Sequence, residues 1–278
     1  MTTVSGKQVT AGYANYQLLV DGEWLLSRIN DTKTMIIDVR GQGDYDGKHI
    51  ERAARLELDS LWRTTNGTKQ VISKDALELL LGELGLSSES TLVIYDGGES
   101  LDAAWLFWTL EYYGHKDVRI LNGGWAKWSR DGRPLTREKP VYTRSVYNAT
   151  TRPELLATVD YVLENMNNPK TTILDVRSAW EFAGVDVRSR RGGHIPGAVN
   201  VEWRQALNPD GSFRSSDELI MLYRKVGISN EKEVVTYCQT GHRASHGYFT
   251  MRLLGYTVRL YDGSWEEWGN RDDLPIQR

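Results

Sequence analysis

The sequence predicts an α/β protein made of two tandem copies of one unit, each a mostly parallel sheet flanked by helices. Two observations carry this. Short β-branched and aromatic runs alternate with helical patterns along the whole chain. That alternation is the mark of parallel strands joined by crossover helices. The second half then repeats the first, element by element and in order.

In the first half, Leu18, Leu19 and Val20 read as a strand, with Asp21 as the N-cap of a helix running to residue 29. Residues 35–39 form a second apolar strand ending in Asp38-Val39-Arg40. The loop GKHIERAAR (residues 47–55) leads into another extended piece. Residues 74–84 have helical spacing, with Leu77, Leu80, Leu81 and Leu84 on one side. A strand at 91–95 precedes the loop DGGES and a long helix at 103–112; a strand at 118–121 precedes NGGWAKW.

The repeat is ordered. Leu155-Leu156-Ala157-Thr158 corresponds to Leu18-Leu19-Val20-Asp21, and Asp175-Val176-Arg177 to Asp38-Val39-Arg40. Gly193-His194-Ile195 matches Lys48-His49-Ile50 after a short insertion, VDVRSRRG. Tyr237-Cys238 matches Tyr95-Asp96, and DGSWEEW (residues 262–268) matches NGGWAKW (residues 122–128). A chance alignment would not keep that order, so the chain is a duplication. Residues 1–137 are expected to form the first domain, 138–153 an extended linker and 154–278 the second domain. Right-handed crossovers place the loops that follow the strands along one sheet edge.

Composition narrows the function. The 278 residues are 40% hydrophobic and 26% charged, with a net charge of −3. That near-neutral balance argues against a nucleic-acid surface. One cysteine excludes internal disulfides and Cys-rich zinc sites, and the five histidines are not spaced as metal ligands. No metal or cofactor is expected. Nothing at the amino terminus has the apolar core of a signal peptide, and no run approaches a membrane span. A free thiol then fits the reducing cytoplasm, and a monomer is expected. The ten tryptophans read as core or interface bulk.

The lone cysteine carries the chemistry. In VVTYCQTGHRASHGYFTMRLL (residues 234–254) a strand runs into Cys238, and a helix follows with Ala244, Phe249, Met251 and Leu254 as candidates for its buried side. Between them lies CQTGHR. A tight strand-to-helix turn points free N–H groups inward at the positive end of the helix dipole. A thiol there is biased toward thiolate, with Arg243 and a protonated His242 helping. Cys238 is therefore read as a nucleophile rather than a small core residue. At the same place the first half has Asp96, which cannot accept sulfur, so only the second half can be active by this route. The first half is a structural partner covering the mouth of the site.

Phosphatases and arsenate reductases cradle a tetrahedral anion with Cys-x5-Arg and an arginine clamp. Here the spacing from Cys238 to Arg243 is Cys-x4-Arg. The smaller ring suits one sulfur atom held on Cys238 as a persulfide, its charge stabilised as in an oxyanion hole.

Asp-x-Arg at both strand ends, GGHIPGAVN (residues 192–200), YCQTGHRAS (residues 237–245) and YDGSWEEW (residues 261–268) together resemble the tandem-domain rhodanese family. The resemblance implies a fold of two rhodanese-like domains, the first without the active cysteine. It also implies a two-step sulfur transfer, from a small-molecule donor to Cys238 and on to cyanide or a thiol. The loop is similar to that of bacterial thiosulfate sulfurtransferases, which makes thiosulfate the expected donor and 3-mercaptopyruvate the alternative. Mercaptopyruvate-type members carry an arginine where this chain has Glu181, which would repel a carboxylate. Arg188, Arg190 and Arg191 of the insertion are possible substitutes for it. Gln239, Thr240, Gly241, His242 and Arg243 are expected to bind substrate through backbone N–H groups, with Gly241 permitting the curve and Arg243 meeting the sulfite end. Trp203 is expected to wall the pocket. Asp175, Arg177 and His194 read as structural. Two rivals from other classes remain: a Cys-based phosphatase or arsenate reductase, against which the x4 spacing argues, and a non-catalytic scaffold, against which the presence of Cys238 argues.

Overall fold

The structure, a computed structural model, describes residues 12–65 and 67–278. Residues 1–11, on which much of the reading of a missing leader rests, lie outside the described residues.

Each half builds a five-stranded sheet in which every pairing is parallel. Across the first sheet the order is Leu19–Val20, Val118–Leu121, Thr91–Tyr95, Thr34–Asp38, Ala53–Arg55. Across the second it is Leu156–Ala157, Val258–Tyr261, Glu233–Tyr237, Thr171–Asp175, Val199–Asn200. The repeat seen in the sequence is thus a repeat of topology, strand for strand. One element is shorter than expected. The helix capped by Asp21, whose side chain accepts the Trp24 N–H, spans only Gly22–Leu26. Its continuation tightens into three-residue turns, Arg28 N–H to Leu25 O and Ile29 N–H to Leu26 O. Residues 137–152 carry no helix or strand.

Alternation along the strands sorts the core. Ile37, Ile94 and Ile120 face one way and join Leu174, Val234 and Leu260 of the other half in one shared cluster. Their neighbours Ile36, Val93 and Leu121 face a separate outer cluster, and Ile173, Val235 and Tyr261 face another. The shared core holds the helices Leu101–Tyr112 and His242–Leu253, packed on each other with Phe107 edge-on to Phe249 at 4.8 Å. Sandwiched so, the second helix buries Ala244, Phe249, Met251 and Leu254 as expected, but also Ser245, His246, Tyr248 and Thr250. It has no polar face for a periodicity argument to find. Glu111 accepts from Tyr248 Oη (2.9 Å) and Arg252 Nε (3.0 Å), joining the two helices.

The halves also clasp each other with near two-fold symmetry. The hairpin of Trp62–Thr65 and Thr68–Val71 reaches across so that the Val71 N–H donates to Asp262 Oδ2 at 2.8 Å. The turn joining Leu207 to Phe213 returns the gesture, the Phe213 N–H donating to Asn122 Oδ1 at 2.9 Å. No helix among the described residues is long and apolar enough to cross a membrane.

Candidate active site

Glu233–Tyr237 is the middle strand of its sheet, so Cys238 leaves the sheet at the centre of its carboxyl edge. The turn after the adjacent strand pins the loop from behind. The Cys238 N–H donates to Ser264 Oγ (3.1 Å), which donates in turn to Tyr261 O (2.8 Å). The Cys238 carbonyl accepts from the Trp265 N–H (3.0 Å) and the Gln239 carbonyl from the Glu266 N–H (2.8 Å). With its carbonyls drawn outward, the loop is left with the N–H groups of residues 239–244, for which the described residues supply no acceptor. Cys238 itself is buried.

The first half displays what such a loop does when filled. Asp96 Oδ1 accepts from the N–H groups of Gly98 (2.8 Å) and Ser100 (3.1 Å), and Oδ2 from those of Asp102 (3.1 Å) and Ala103 (3.4 Å). Its own carboxylate occupies an anion cradle at the start of the 101–112 helix. That loop is one residue longer: the helix begins at Leu101 after Asp96, but at His242 after Cys238.

Gly241 permits the curve. It has φ 84°, and a Cβ there would lie 3.0 Å from Asp262 O and 3.1 Å from Asp262 Oδ1. Gly241→Ala is expected to cost about 1–2 kcal/mol in left-handed backbone strain, with added displacement of the loop. A thermal melt read beside the rate of thiol labelling checks it; unchanged values of both would show the loop to be less constrained than its geometry requires.

Ser264, missed by sequence reasoning, is the loop's anchor, and it sits at φ 50° where the first half has Gly124, also at φ 50°. A serine holding a glycine's conformation is strained, and its bond to the Cys238 N–H explains why the strain is kept. The signal was present in the repeat, DGSW against NGGW.

Arg243 has a partner within the chain. Its Nη1 and Nη2 each donate at 2.7 Å to Glu181, whose side chain is 1% exposed. Glu181 also closes a capping box with Ser178, and Arg188 Nη1 stands 3.5 Å away. Burial works to raise this carboxyl, but the Arg243 hydrogen bonds and charge prevail and hold it down at about 2. Glu181 is therefore no free repelling charge: it is matched by Arg243, with Arg188 close by. The other insertion arginines are committed elsewhere, Arg190 to Asp272 and Arg191 to the carbonyls of Leu274 and Trp268.

The remaining residues separate. Gln239 ties the loop to the insertion through Ser189 Oγ (3.0 Å) and the Arg188 carbonyl. Thr240 is half-buried within the loop. His242 Nε2 lies 3.0 Å from Asp102 Oδ1 of the first half without hydrogen-bond alignment, its ring edge-on to Trp62. Trp203 is buried against His246, 5.1 Å between rings, in the interdomain core. Arg177 grips Asp175 through Nε and Nη2, while His194 Nδ1 bonds Phe182 O at 2.8 Å and its ring stacks on Phe182. Both are structural, as read. The described residues hold no cluster of metal-ligating side chains.

A duplicated α/β fold whose second copy opens its strand-to-helix loop with a cysteine, where the first copy has an aspartate that accepts its own loop's N–H groups, fits the class of two-domain sulfur-transferring proteins. Comparison with known proteins supplies the family. The Rhodanese-like domain matches twice, over residues 21–131 and 158–271, and the chain belongs to the rhodanese family of sulfurtransferases. It is 39% identical to the sulfur carrier protein TtuD of Thermus thermophilus, covering 96% of this chain and 99% of that one. It is 36% identical to a protein of Mycolicibacterium smegmatis named "Putative thiosulfate sulfurtransferase", over 95% and 99%. Among solved structures, SseA of Escherichia coli, a 3-mercaptopyruvate sulfurtransferase, superposes with a TM-score of 0.81 at 30% identity, covering 89% of this chain and 98% of that one.

Proposed function

We propose that the protein takes the outer sulfur of thiosulfate onto Cys238 as a persulfide and passes it to cyanide or another thiophilic acceptor. The observation that carries this is the contrast between the two loops: the N–H groups of residues 239–244, which follow the cysteine, have no acceptor among the described residues, where the first half satisfies its donors with Asp96. In the donor step the Cys238 thiolate attacks the outer sulfur. A new S–S bond forms, and the old one breaks to release sulfite with its electron pair. The persulfide's terminal sulfur bears one negative charge, which the N–H ring stabilises. In the acceptor step cyanide attacks that sulfur, leaving as thiocyanate and restoring the thiolate. Residues 154–278 carry the reaction and residues 1–137 shape its mouth, joined through 138–153.

Thiosulfate is favoured as donor. Arg243, steadied by Glu181, keeps Nε and the outer edges of its guanidinium for an oxyanion such as departing sulfite. The named relative from Mycolicibacterium smegmatis supports this reading. The likeness to SseA supports the alternative donor, 3-mercaptopyruvate. Steady-state rates with each donor, using cyanide as acceptor, decide between them. A higher kcat/KM with thiosulfate is expected; a preference for mercaptopyruvate would overturn the donor assignment.

A further inference from the structure

We propose that Asp262 is a positioning residue for the Cys238 loop, one whose ionisation weakens the loop's hold on anionic sulfur. Three observations meet on it. Its Oδ2 receives the Val71 N–H from the first half's hairpin, while its Oδ1 has no hydrogen-bond partner among the described residues. Its carbonyl and Oδ1 lie close beside Gly241, 3.0 and 3.1 Å from where a Cβ on that glycine would stand. One buried carboxyl thus joins the hairpin of one half to the apex of the catalytic loop in the other.

The mirrored clasp supplies the control. Asn122 accepts the Phe213 N–H in the same way, so the clasp needs only a neutral acceptor. The half with the cysteine has an ionisable side chain instead. Asp262 lines a cavity of about 230 Å³ together with Arg63 and Gln70 of the hairpin, Tyr112 and Tyr113 of the 101–112 helix, and Glu267 and Tyr261 of its own half. Burial, with a smaller push from Glu267, raises its carboxyl to about 7 against the pull of the Val71 N–H and Arg63. Below pH 7 the carboxyl beside the loop is neutral. Above it a buried negative charge stands behind a loop whose front must hold a thiolate or persulfide, and like charges in a poorly solvated site oppose each other.

The proposal rests on the sulfurtransferase reading for one arm of its test and is independent of it in the other. In the full-length protein, iodoacetamide labels only Cys238, the sole cysteine. Asp262→Asn, the residue of the mirrored clasp, should label roughly three- to tenfold faster than wild type at pH 8.5, the scale of one removed like charge, and equally at pH 6. In single-turnover persulfide formation from thiosulfate, wild type should lose rate above pH 7 relative to Asp262→Asn. Equal labelling of the two proteins at pH 8.5 overturns the proposal. Wild type alone also tests it, should the variant fold poorly: its labelling rate against pH must show a second inflection near pH 7 besides that of the thiol, and a profile that fits one ionisation overturns it. A labelling difference without persulfide in any variant would sink the sulfur-transfer reading and leave Asp262's role standing.

Discussion

Cys238→Ser should leave the fold intact and remove sulfur transfer entirely. The loop is held through the backbone of residues 238 and 239, by Ser264, Trp265 and Glu266, none of which touches the thiol. Replacing sulfur by oxygen among N–H donors should change stability by less than about 1 kcal/mol. The chemistry has no substitute, because a serine hydroxyl is not ionised in the working range and cannot store sulfane sulfur. Mass spectrometry after thiosulfate treatment should show one added sulfur on wild type, removable by cyanide, and none on the variant. Because the chain has one cysteine, the site of the adduct is unambiguous. A serine variant that turns over normally would end the persulfide mechanism.

Arg243→Ala should damage both activity and stability, and the structure is why the two come together. Losing one charge-assisted hydrogen bond to the donor, about 1.5–3 kcal/mol, slows the donor half-reaction by on the order of ten- to a hundredfold. The same change strands Glu181 as a buried carboxylate, a loss of about 3–5 kcal/mol when one partner of such a pair is removed. Glu181→Gln separates the effects: it keeps Arg243, so donor turnover should survive while stability at neutral pH falls. Acid unfolding gives a further check. Because the carboxyl of Glu181 is held at about 2, below its ordinary 4.5, its contribution is complete above pH 4.5 and is lost as pH falls from there toward 2. Glu181→Gln should flatten the loss of stability in that window. If Arg243→Ala leaves thiosulfate turnover untouched, Arg243 serves only as Glu181's partner.

Sequence reasoning reached the working parts because they are local. A β-branched strand, a glycine with positive φ and a helix start are properties of a few consecutive residues, and CQTGHR holds the glycine and the helix start, although Ser264, Trp265 and Glu266 pin the loop from outside it. The internal repeat did more, since Asp96 opposite Cys238 already marked one loop as filled and the other as open. It carried the Ser264 signal too, where serine replaces a glycine of the first half. Trp203 shows what local pattern leaves out: its nearness in sequence to GHIPGAVN says nothing of His246, against which its ring packs in the interdomain core.

By itself the sequence determined the two repeats, the order of strands and helices, and the single cysteine that ends one strand of the second repeat, all of which follow from short-range pattern. The tertiary structure alone decided who answers whom across the chain: Arg243 with Glu181, Val71 with Asp262, Glu111 with Tyr248 and Arg252. It also decided that residues 244–251 are buried on every side, since their helix lies between its own sheet and the 101–112 helix of the other half. The physical reason is the same for each. A charge or an unpaired carboxyl takes its partner, and therefore its protonation and its role, from neighbours dozens or hundreds of residues away, and no local periodicity encodes which neighbour folding will bring.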